Sequence, residues 1–255
     1  MMRTLAFAAA LALGACASTP DLPAPPGMLT PVSSGVDQAG HRIEPLGGDL
    51  DERCTFDGAW CVEAGQFRQA GGQSFTAPAP EDRAEPTPWG FVVRLAQPGA
   101  PVLLGQMWRT TDAYSGGGAS QTVLVLYRFA DGAAVPVLTL QQAGDALIRA
   151  CFSEADMRAR RGACHDDYRF SSHISLDPAN TSGWPVLRYE TQAASFPGEV
   201  SRSEDSLERG ALRAEDLVWR IDERCTITRS FAWHDGAGAY MPNDPLPDCA
   251  DYRTQ

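Results

Sequence analysis

From Trp89 onward, apolar and polar positions follow the short repeats of sheet. Residues 167–177, DYRFSSHISLD, set Tyr168, Phe170, Ile174 and Leu176 against Arg169, Ser171, His173 and Ser175. That period of two describes a strand with one buried and one wet face. PVLRYET at 185–191 repeats it, with Leu187 and Tyr189 opposite Arg188 and Glu190. WGFVVRLA (89–96), PVLLGQMWR (101–109), VPVLTLQ (135–141) and ALIRACF (146–152) are short, rich in β-branched and aromatic residues, and bounded by Gly, Pro or Asp. QTVLVLYRF at 121–129 is apolar on both faces and predicts a central strand. Only SEADMRARR (153–161) reads as helix. Ser153 stands as N-cap, Glu154 and Asp156 lie in the first turn, and three arginines precede Gly162. The pattern predicts a mainly β, antiparallel domain, a sandwich or barrel with one short helix; a small β-propeller is the alternative.

The start of the chain has a different pattern. In MMRTLAFAAALAL, Arg3 precedes an apolar stretch from Leu5 to Leu13, too short to span a bilayer as a helix, which needs ~20 residues. Leu13-Gly14-Ala15-Cys16 then resembles the lipobox of bacterial lipoproteins. The resemblance, confined to about the first 20 residues, implies a signal peptide at 1–15, cleavage before Cys16, a diacylglycerol on its sulfur and an acylated amino terminus. Several acyl chains anchor a protein stably to a membrane. In Gram-negative bacteria an Asp after the cysteine often retains a lipoprotein at the inner membrane. Ala17 and Ser18 stand there instead, so the resemblance implies the outer membrane, facing the periplasm. The rest of the chain resembles only uncharacterised envelope lipoproteins.

Cysteine arithmetic points the same way. Seven cysteines leave one over in an oxidising compartment. With Cys16 assigned to lipid, Cys54, Cys61, Cys151, Cys164, Cys225 and Cys249 can pair completely. Proximity favours Cys54–Cys61, Cys151–Cys164 and Cys225–Cys249. An echo of LDERCTF (50–56) in IDERCTI (221–227) offers a rival in which Cys54 meets Cys225. It also suggests two edge strands that pair and close the domain. No Cys-x-x-Cys occurs and an oxidising compartment removes free thiols, so zinc is not implied, and no cofactor is expected.

The 255 residues carry a net charge of −11, which argues against nucleic acid as a partner. All 21 basic residues are arginine, and without lysine there is no Schiff-base chemistry. Prolines 20, 23, 25, 26, 31 and 45 mark residues 16–49 as a lipidated, proline-rich tether. Residues 50–255 form the domain, with a loose excursion at 64–88.

Candidate chemistry is sparse. CHDDY at 164–168 places His165 and Asp167 on one face of a strand, where they could act as base and orienting carboxylate; the competing reading is a polar turn. His234-Asp235 lies in a glycine-rich turn, His173 on a solvated face and His41 in the tether. Ser115, Gly116, Gly117 and Gly118 of YSGGGAS form a candidate binding loop, because glycines admit close backbone approach. It lacks the lysine and following helix of a phosphate loop and the spacing of a nucleophile elbow. The six tryptophans, at 60, 89, 108, 184, 219 and 233, could form a binding platform or simply core. The expected function is an outer-membrane-anchored binding, scaffold or assembly module for an envelope protein or glycan. The alternative is an envelope hydrolase using His165 and Asp167 with a serine nucleophile.

Overall fold

The computed structural model describes residues 22–97, 99–198 and 200–254. Its first strands are short: β1 (Gly35–Val36), β2 (Arg42–Pro45), β3 (Gly47–Gly48), β4 (Glu52–Cys54), β5 (Trp60–Glu63), β6 (Gln66–Gln69) and β7 (Ser74–Thr76). Four long strands follow, β8 (Glu85–Arg94), β9 (Val102–Tyr114), β10 (Gly117–Ala130) and β11 (Ala133–Arg149). Helix α1 (Glu154–Ala159) precedes β12 (His165–Leu176) and β13 (Leu187–Phe196). Strands β14 (Arg220–Ile221), β15 (Thr228–His234) and β16 (Ala239–Pro242) end the series. Among the described residues, no helix is long and apolar enough to cross a membrane.

The strands form two antiparallel sheets. The larger has eleven strands in the order β1-β2-β8-β9-β10-β11-β12-β13-β15-β16, with β14 also on β13; the smaller is β3-β4-β5-β6-β7. Neither closes into a barrel, and the arrangement is sandwich-like. The central strands have apolar residues on both faces because each face has its own core. Val93, Leu103, Leu124 and Leu126 join one cluster with Ile174, Leu187 and Tyr189, inside the curved larger sheet. Val92, Leu104, Val125 and Tyr127 join the other with Val62, Phe67 and Phe75 of the smaller sheet. Complete burial of a side chain such as Phe67 or Leu126 contributes about 1.5–3 kcal/mol.

The two runs at 135–141 and 146–152 belong largely to one strand, β11. It passes through Gln141-Gln142-Ala143-Gly144 by a bulge at Gln142, since Thr122 pairs with Ala143 and Val123 with Gln141. From Ala143 onward β11 pairs with β12, and before it the two part. The buried Gln142 stitches the split, its Nε2 donating to the Ser172 carbonyl at 3.0 Å while Ser172 Oγ donates to the Gln142 carbonyl at 3.2 Å. Residues 31–33 lie in the opened edge beside β12. Ile174 N donates to the Pro31 carbonyl at 2.9 Å, and Ser33 N to the Ile174 carbonyl at 3.0 Å.

That contact lays part of the expected tether at 16–49, residues 31–45, against the sheet, while residues 16–21 lie outside the described residues. Val32, His41 and Ile43 are buried, and β1 and β2 continue the larger sheet. Prolines that suggest a free spacer equally suit an extended segment lying along a strand. The excursion at 64–88 is likewise mostly ordered, holding β6, β7 and the start of β8, with Phe67 and Phe75 as buried anchors. Gly71 and Gly72, both at positive φ, make its turn and disguise it as a linker.

All three nearest-neighbour cysteine pairs are at disulfide distance: Cys54–Cys61, Cys151–Cys164 and Cys225–Cys249. The two DERC copies do not pair, which corrects the edge-closure expectation. The first lies in β4 and faces β5, while the second forms a turn in which Asp222 Oδ1 accepts from Arg224 N at 3.0 Å. Cys16 and the signal peptide lie outside the described residues.

The strand directions define one end of the domain. Tyr114 opposes Gly117, Arg149 opposes His165 and Asp167 opposes Phe196, so the β9–β10 turn, α1 and the 197–219 excursion emerge together. Ser153 caps α1 as its sequence predicts, its Oγ accepting from Asp156 N at 3.1 Å.

Candidate functional site

The glycine loop and the CHDDY cluster meet at this end. Residues 114–117 form a tight hairpin turn, with Gly116 at φ +81°. At Gly117 a Cβ would stand 2.0 Å from the Leu147 carbonyl oxygen, so the glycine is required by the close approach of β11. His165, half-buried at the start of β12, has its Nε2 3.1 Å from the Gly116 carbonyl oxygen. The loop thus turns a carbonyl toward His165. An anion cradle would instead present converging N–H groups.

The two aspartates of CHDDY have separate tasks. Asp166 is buried on the opposite face from His165; Arg160 Nη2 donates to it at 2.5 Å, and Ser206 Oγ donates to its other oxygen. Arg160 also donates through Nε to the Ala163 carbonyl at 2.7 Å. This buried group ties α1 and the 201–213 loop to β12. Asp167 is paired with Arg169 at 2.9 Å. Burial raises its carboxyl above the ordinary value, and the Arg169 guanidinium opposes that rise. Ser120 Oγ donates to Asp145 at 2.6 Å. Among the described residues no serine hydroxyl is hydrogen-bonded to His165.

The other histidines are structural. His173 is not merely solvated, since its Nε2 lies 3.1 Å from Ser33 Oγ and its Nδ1 contacts the Thr30 carbonyl, holding the N-terminal segment. His41 Nδ1 accepts from Ala96 N at 2.9 Å, and His234 Nδ1 accepts from Ala237 N within its turn. Trp89 and Trp108 are core. Trp60 packs on Phe129 at 4.2 Å, Trp184 stacks on Trp233 at 4.0 Å, and Trp219 rests on Phe196 at 5.6 Å. None of the six tryptophans is exposed, so they form no open platform. Glu52, Cys54 and Cys61 lie close enough for a metal, but the two sulfurs bond to each other.

Two of the concavities on the described surface are lined by both β11 and β12. A cleft of about 490 Å³ opens beside the glycine turn, lined by Tyr114, Arg149, Asp166, Tyr168, Arg202 and Ser206. The Tyr168 hydroxyl is buried without a hydrogen-bond partner among the described residues, and burial pushes its ionisation far up. The second concavity, a groove of about 350 Å³, lies where β11 and β12 part. Val123, Leu140, Phe170, Tyr189, Ile227 and Leu246 line it, with polar groups from Gln141, Thr191 and Arg253. A C-terminal strap bounds this groove, pinned by Cys225–Cys249 and by Gln141 Nε2 donating to the Tyr252 carbonyl at 2.7 Å. Tyr189 Oη donates to the Gln141 carbonyl at 2.6 Å, capping the β11 edge left without a neighbouring strand. Local motifs pass over these residues, because only the Cys225–Cys249 spacing hints that residues 246–254 return to the sheet.

No family model, no curated protein and no solved structure matches the chain.

Proposed function

We propose that this chain is an outer-membrane lipoprotein, anchored through Cys16 and facing the periplasm, that acts as a binding module for an envelope protein or glycan. The observation that carries the reading is the complete pairing of the other six cysteines, which leaves Cys16 as the odd thiol beside its lipobox. Such a framework suits an oxidising compartment. Binding is favoured over catalysis because His165, Asp166, Asp167 and Ser120 each have a structural partner. The strap-bounded groove supplies the contact surface, combining an apolar lining with a few polar groups, as binding sites generally do.

Site-specific photocrosslinking in cells tests this. A photoreactive residue at Leu246 or Ile227, in the groove, should capture one envelope component reproducibly. The same residue at Phe56, 80% exposed on the smaller sheet, should not. Equal capture at all three positions, or none at the groove, would count against the groove as the binding surface.

A further inference from the structure

The path of the N-terminal segment fixes which end of the domain meets the membrane, if Cys16 carries the anchor. Going back from Val32, the chain runs beside β12 toward the strand's beginning. Leu29 N donates to Ser171 Oγ at 3.1 Å, and the Pro23 carbonyl accepts from Trp219 Nε1 at 3.1 Å. Trp219 lies on Phe196, which opposes Asp167 in the register. The chain therefore enters the domain at the end that carries the β9–β10 turn, α1 and the 197–219 excursion. From Cys16 to Leu22 are six residue steps, which span at most about 20 Å when fully extended. That is shorter than the domain's long strands, since the 17 residues of β11 extend over roughly 55 Å. The tether cannot carry the opposite end to the lipid.

The same end exposes large apolar side chains: Leu22, Tyr114, Phe152, Met157, Leu207 and Val218. Phe152 is 64% exposed, and the Arg149 guanidinium lies 4.9 Å from its ring centre. Aromatic and aliphatic side chains with a nearby arginine suit the zone between headgroups and acyl chains. Arginines at this end are paired with acids, Arg158 with Glu154, Arg209 with Glu204 and Arg213 with Asp216, so apolar contact is the driving term.

We propose that this end is a membrane-docking face. It seats Phe152 and Met157 in the bilayer surface that holds the Cys16 lipid, and so turns the opposite end, with the Phe56 turn, toward the periplasm. The Asp57–Arg94 ion pair at 3.0 Å ties that turn to the far end of β8. The inference rests on the lipoprotein reading. It differs in claiming a fixed orientation, with no free swing on a long tether.

The test uses the full lipidated chain in zwitterionic vesicles whose acyl chains carry bromine as a fluorescence quencher. Phe152→Trp and Phe56→Trp each add one emitter to the wild-type background. Emission added by Phe152→Trp should be quenched about twofold or more, and that added by Phe56→Trp should be unchanged. High salt should leave the difference in place, because the contact is apolar. Protein that floats with the vesicles but shows no quenching at Phe152 overturns the docking face and leaves the anchor standing. Protein that does not float overturns both. Equal quenching at the two positions overturns the orientation.

Discussion

Replacing Asp166 by alanine would remove the one carboxylate that neutralises Arg160. Both side chains are 5% exposed, and the pair is 2.5 Å apart. Among the described residues, the variant leaves a buried guanidinium with only the Ala163 carbonyl as partner and deprives the Ser206 hydroxyl of its acceptor. Breaking a buried pair from one side costs about 3–5 kcal/mol. A domain of this size has ~5–15 kcal/mol in all, and each kcal/mol moves Tm by ~2–4 °C. Asp166→Ala should therefore lower the melting temperature by on the order of 10 °C, with all disulfides kept oxidised. The double change Arg160→Met with Asp166→Leu removes both charges and should recover most of the loss, because the desolvation penalty goes with the pair. Circular dichroism melts of wild type, single and double variants decide it. A single variant that loses less than about 1 kcal/mol would refute the assignment. So would a double variant as unstable as the single.

Burial holds the Tyr127 phenol up at about 12, and Tyr168, Tyr189, Tyr240 and Tyr252 are raised for the same first reason. A phenol whose folded value exceeds its unfolded value of about 10 keeps its proton in the native state, so stability falls as pH rises from about 10 through 12. Phenolate absorbance should appear in one cooperative step with unfolding, and a gradual titration of most tyrosines near pH 10 would contradict this. Gly117→Ala drives a Cβ into the Leu147 carbonyl and should cost about 1–3 kcal/mol in urea unfolding, whereas exposed Ser115→Ala should stay within ~0.5 kcal/mol. Converting Cys225 and Cys249 together to serine opens a 24-residue separation and should cost about 3 kcal/mol. In that variant, amide exchange should speed up in residues 246–254 first; unchanged exchange there would show that the strap holds without its bridge.

Local features were the legible ones. Two-faced apolarity identified Leu124 to Tyr127 as central because a strand between two cores has no wet side. The Ser153 cap and the neighbouring cysteine pairs were readable because both depend on residues close in sequence. The segment around Val32 and Ile43 was not, since prolines and glycines hide two buried positions that make sense only beside Ile174. Gln141 to Gly144 looked like a break because a bulge residue, Gln142, spends its side chain on Ser172. The DERC copies show the same limit: identical residues form strand beside Cys61 and turn at Asp222. Of the candidate site, the meeting of the glycine turn with His165 was reachable only residue by residue. The groove depends on contacts such as Gln141 with Tyr252, 111 positions apart, which carry no local signature.

The most direct test of the account is the mass of the N-terminal peptide from protein purified out of the cell envelope. The lipoprotein reading requires a peptide beginning at Cys16, with a diacylglyceryl group on the sulfur and an acyl chain on the new amino terminus. A peptide that retains residues before Cys16, or an unmodified Cys16 thiol, would contradict it.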